Sequence, residues 1–84
     1  MTVNEMNTIT NYNGIDFTYF LSEMNIMYKM AAEAYNKGDS HGEKDYLNIA
    51  FGMKCAFLNL FGDKLDLRRT ENFTEHVIVE RGEQ

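Results

Sequence analysis

The chain has no proline and no tryptophan, and only one cysteine in 84 residues. A single cysteine cannot close an internal disulfide, which excludes a small secreted scaffold held by bridges. The reducing cytoplasm of a bacterium or of an infected host cell is therefore the expected compartment. No basic segment followed by an apolar run opens the sequence, so no signal peptide is expected. Nor is there a run of roughly 18 apolar residues, and a membrane-spanning helix is not expected. Asparagine is abundant, and with proline and tryptophan missing the composition is of the kind produced by AT-rich coding in a bacterium or its phage. Basic residues are also scarce: eight Lys and Arg stand against thirteen Asp and Glu, for a net charge of -5. That balance disfavours a nucleic-acid backbone as partner. The acids are scattered, without the continuous run that would signal a DNA mimic.

Chemical constellations are equally scarce. Cys55, His41 and His76 are the only soft metal ligands, and no two stand at a zinc-site spacing. No glycine-rich phosphate loop occurs. Lys54 lacks a nucleophile or base at a recognisable spacing; its methylenes are expected to cover apolar surface while the amine reaches water. Asp63 and Asp66 have no reason to hold a raised pKa. The expectation is a protein that is not an enzyme and takes no cofactor and no metal.

What the sequence does contain is a long apolar stretch, Tyr46 to Phe61. At 100° per residue, Tyr46, Ile49, Met53, Ala56, Phe57 and Leu60 form one broad arc, and Leu47, Phe51 and Leu58 form a second patch. A surface helix needs a stripe of only roughly 100°. This helix is therefore expected to touch more than one partner: the helix before it, and either the C-terminal segment or a second subunit. Ser40 and Glu43 have capping-box spacing, and Gly62 stands where a left-handed C-terminal residue is expected. Gly52 sits on the small and polar face.

An earlier helix is predicted from about Asp16 to Lys37, with Asn13 or Asp16 as its cap and Gly38 as its end. Phe17, Phe20, Leu21, Met24, Met27, Tyr28, Ala31, Ala34 and Tyr35 keep helical spacing along one face. Tyr19, Ile26 and Met30 align on its back and form a candidate partner-binding ridge. The short connection around Asp39–Gly42 makes the two helices antiparallel neighbours. Beyond Gly62, Leu65 and Leu67 are anchors within a charged stretch. Phe73 and Val77 have helical spacing, whereas Val77-Ile78-Val79 is β-branched and favours a strand over His76–Glu80. Such a strand needs a partner, either Thr8–Thr10 or its own copy in another chain.

The predicted fold class is mostly α: an antiparallel helical hairpin with a short C-terminal segment, extended if its β-branched residues decide. Residues 1–84 make one small helical domain, with 1–12 and 82–84 flexible. The expected function is a non-catalytic protein–protein interaction module, a small regulator or inhibitor of a larger protein. Its candidate interface comprises Tyr19, Ile26, Met30, Ile49, Met53, Ala56 and Leu60. A homodimer or higher oligomer is expected through the Ile49, Met53, Ala56 and Leu60 row. The alternative is a small-ligand binding or sequestering protein with a pocket between subunits, in which Tyr46, Phe51, Arg68 and Arg69 supply the contacts.

Overall fold

The computed structural model describes residues 8–70 and 75–81. The chain runs through three short strands, β1 (Thr8–Ile9), β2 (Asn11–Tyr12) and β3 (Ile15–Asp16). Two long helices follow, α1 (Thr18–Asn36) and α2 (Ser40–Phe61), and then strands β4 (Leu65–Arg69) and β5 (His76–Glu80). The expected helical hairpin is present, but the mostly α fold class is not. β1, β5 and β4 form a three-stranded antiparallel sheet in that order, and β2 and β3 form a separate two-stranded one. The fold is mixed α/β.

Side-chain alternation explains the larger sheet. Leu65 and Leu67, two residues apart, both point into the core, while Asp66, half-buried, and the exposed Arg68 and Arg69 lie outside it. Leu67 lies opposite Ile78, and Arg69 opposite His76. β5 is the central strand, flanked on its other side by Thr8 opposite Val79 and Ile9 opposite Ile78. The strand read from Val77-Ile78-Val79 thus pairs with the N-terminal segment of the same chain. Of residues 1–12, expected to be flexible, Thr8–Ile9 and Asn11–Tyr12 are strands, and 1–7 lie outside the described residues. Phe73 and the tail 82–84 also lie outside them.

The smaller sheet corrects the reading of Asn13 as a helix cap. Asn13 and Gly14 both have positive φ, 50° and 80°, and form the two-residue turn between β2 and β3. An Asn-Gly pair satisfies this turn because both positions need the left-handed region. α1 starts after it, at Thr18. The Thr18 amide donates to the Asp16 carboxylate at 2.9 Å. The Thr18 hydroxyl and amide together hold the Asp16 carboxyl below its usual range.

Gly38 ends α1 as expected. Its φ of 77° lets the Asp39 amide reach the Ala34 carbonyl at 2.9 Å and its own amide reach Tyr35 at 3.0 Å. The start of α2 differs from the capping-box reading. Asp39, one residue before Ser40, is the N-cap, and its carboxylate accepts from the Gly42 amide at 2.9 Å. A side chain on Gly42 would collide with that carboxylate, so glycine here makes room for the cap. Gly62 is not left-handed either (φ -65°), because residues 62–64 continue turning in the right-handed sense. Asp39→Ala is expected to lower stability by about 1 kcal/mol. Ser40→Ala should stay within about 0.5 kcal/mol. Urea midpoints of the two variants check the assignment, and the reverse order would return the cap to Ser40.

The core is one cluster of Phe17, Met24, Ala50, Phe57, Leu65, Leu67 and Ile78, contributed by both helices, the larger sheet and the residue before α1. Phe17 meets Phe57 and Phe61 edge-on at 5.3 and 5.1 Å between centroids, and Phe20 stacks on Phe57 at 5.4 Å. β4 lies against α2 and β5 against α1. α2 therefore has the two partners its broad apolar arc calls for, the preceding helix and the C-terminal segment. Even so, a further part of that arc stays outside.

Candidate interaction surface

α2 buries Ala50 and Phe57 completely, and its neighbouring arc turns outward. Ile49 is 50% exposed and Leu60 73% exposed. Ala56 is exposed between them and Met53 half-buried. Leucine and isoleucine side chains on a surface are ordinary when isolated. Here four apolar residues recur at intervals of four, three and four, the spacing of a helix–helix seam. No charged side chain interrupts the face from Tyr46 to Leu60. The only charge in that span, Lys54, stands on the opposite side of the helix, half-buried toward the sheet. Gly52 flanks the row, and a methyl group added there would meet nothing within 4 Å. No close approach among the described residues demands this glycine.

On α1, Tyr19 is 76% exposed, Ile26 is exposed and Met30 is half-buried. Ile26 lines an open cleft of about 570 Å³ with Ser22, Asn25, Lys29, Glu33 and Glu75 among its walls. A second cleft, of about 320 Å³, lies between Tyr28, Tyr35, Glu43 and Leu47. Tyr46, Phe51, Arg68 and Arg69 line neither. Tyr46 is half-buried, while Phe51, about 140° away around the same helix, is 64% exposed. Arg68 is paired with Asp66 at 2.9 Å, and the Arg69 guanidinium lies 5.7 Å from the Tyr28 ring centroid. The structure does not bring these four side chains to one place.

His76 has an environment that the sequence did not announce. It is buried and stacks on the Tyr28 ring at 4.4 Å, and among the described residues its Nδ1 has no hydrogen-bond partner. The Asn25 side chain serves as a short strand edge for it: Oδ1 accepts from the His76 amide at 2.7 Å, and Nδ2 donates to its carbonyl at 3.3 Å. Burial lowers the imidazole pKa from 6.5 to about 4, assisted by Arg69 and Lys54. His41 is exposed, 3.6 Å from Asp45, and Cys55 is half-buried. Among the described residues, no group of three or more His, Cys, Asp or Glu gathers to hold a metal ion. No described helix is long and apolar enough to cross a membrane.

The fold is a helical hairpin packed on a three-stranded antiparallel sheet, and its most distinctive surface is the uncharged α2 row. Scans against protein-family models, curated proteins and solved structures find no match to this chain.

Proposed function

We propose that the protein is a non-catalytic protein–protein interaction module whose contact face is the Ile49, Met53, Ala56 and Leu60 row. The observation that carries this reading is the outward orientation of that row. Ile49, Ala56 and Leu60 contribute exposed apolar surface at seam spacing, and Met53, half-buried against the core, joins them at its outer edge. Its chemistry specifies the partner. An uncharged helical strip favours another helix presenting an apolar seam, since a charged group set against it would lose water without gaining a counter-ion.

Lysine-directed cross-linking in the native cell tests the proposal, because Lys44 and Lys64 stand exposed near the two ends of the row. Cross-links from these two lysines to a second polypeptide are expected, and they should disappear in Leu60→Glu. Cross-links confined to Lys29 and Lys37 on and beside α1, or insensitive to Leu60→Glu, would overturn it.

A further inference from the structure

We infer that the occupant of the α2 row is the same row of a second copy, running antiparallel. This rests on the interaction reading above and names its partner. The row is self-complementary when reversed. About a two-fold axis between Met53 and Ala56, Ile49 faces Leu60 of the copy and Met53 faces Ala56 of the copy. The large Met53 then lies over the small Ala56 twice, once on each side of the axis, and two long aliphatic pairs close the ends. A parallel arrangement would set Met53 on Met53 and Ala56 on Ala56, a bulge beside a gap, which packs less evenly.

Charge makes the same choice. Asp45 lies just before the row and Lys64 just after it, and both are exposed. Within its own chain, among the described residues, the Asp45 carboxylate meets only His41, at 3.6 Å. The axis that pairs Ile49 with Leu60 also sets Asp45 opposite Lys64 of the copy, at both ends. Parallel pairing would instead place Asp45 beside Asp45 and Lys64 beside Lys64, and would align the two helix dipoles unfavourably. Gly52, with open space in front of it, lies beside the axis where the two backbones come nearest. The contact is isologous, so it closes as a dimer.

Light scattering on a size-exclusion column, followed from micromolar to millimolar protein, should give twice the chain mass of 9.8 kDa. Leu60→Glu should return that mass to a single chain while the helical circular dichroism is kept. Asp45→Lys and Lys64→Asp should each weaken the pair, and the double exchange should restore it. Orientation is read by cysteines in a Cys55→Ser background. Chains carrying Ile49→Cys should form a disulfide with chains carrying Leu60→Cys, but neither with itself, since like positions would stand roughly 16 Å apart along the helix. A mass of one chain at every concentration, or like-with-like disulfides, overturns the inference. If the single chain still cross-links through Lys44 and Lys64 to a different protein, the self-pairing alone falls; if those cross-links are also missing, the interaction reading falls with it.

Discussion

Phe57→Ala is expected to lower the unfolding free energy by about 3–5 kcal/mol, the range for removing a fully buried ring from a core that relaxes only partly. Phe57 is 3% exposed and in ring contact with Phe17, Phe20 and Phe61. Its removal takes away three aromatic contacts as well as apolar area. The hole would open at the junction of both helices and the residue leading into α1, which leaves little that can collapse independently. A domain of this size is typically stable by only about 5–15 kcal/mol, so the variant should be largely unfolded at temperatures where the parent is folded. Urea titration followed by circular dichroism measures the change, and an unchanged midpoint would place Phe57 outside the core. Leu60→Glu, three residues later on the exposed side of the same helix, is the matched control and should leave the stability of the single chain nearly unaltered.

The second large effect is a loss of stability in mild acid that depends on His76. From α1, Tyr28 stacks on the imidazole and Asn25 holds its backbone; Lys54 approaches from α2 and Arg69 from β4. No carboxylate is among these neighbours to stabilise an imidazolium. The unfolded chain takes up a proton near pH 6.5, whereas the folded chain resists until about 4. Above pH 6.5 neither form is protonated and nothing is lost. Between the two values only the unfolded chain binds the proton, so stability falls as pH falls; below about 4 both bind it and the loss levels off. The integrated loss is on the order of 3 kcal/mol. His76→Phe keeps a ring on Tyr28 and removes the proton. Its stability should fall less than the parent's between pH 6.5 and 4.5, with the carboxylates common to both chains accounting for the remainder. Parallel pH profiles of parent and variant would sink this assignment.

The helices were legible because burial against one side imposes a 3.6-residue period, and the residues from Phe17 to Ala34 obey it; Tyr35, the last of the expected stripe, is instead 66% exposed, because it lies at the end of α1 beyond the core. β5 was legible because three β-branched residues in succession favour extended backbone, and Thr8–Thr10 was one of the two partners available to it. β4 was missed because its two inward leucines alternate with Asp66, Arg68 and Arg69, so five residues looked like a solvated loop with anchors. The Asn13-Gly14 turn was misread because asparagine also caps helices; the following glycine was the signal that could have decided. Asp39 and Ser40 are both good caps, and only the space over Gly42 separates them. For the interaction surface, periodicity identified which residues share a face. Whether that face is covered depends on where β4 and β5 dock, and pairing between Thr8 and Val79 cannot be read from any local window.

The same pairing decides how the protein yields to tension. In the antiparallel register, the end of β1 nearer the chain start lies beside the end of β5 nearer the chain finish, Thr8 against Val79. A force that pulls the two flanks apart therefore meets these strands crosswise: Thr8 parts from Val79 first and Ile9 from Ile78 second, one after the other, with no step at which both must break together. Once Ile9 has gone, the next residue dragged along the strand is Ile78, a member of the core itself. The sheet opens like a zip from either side: a pull on Thr8 meets the Thr8–Val79 pair first, and a pull on Arg81 first meets its amide on the Lys64 carbonyl.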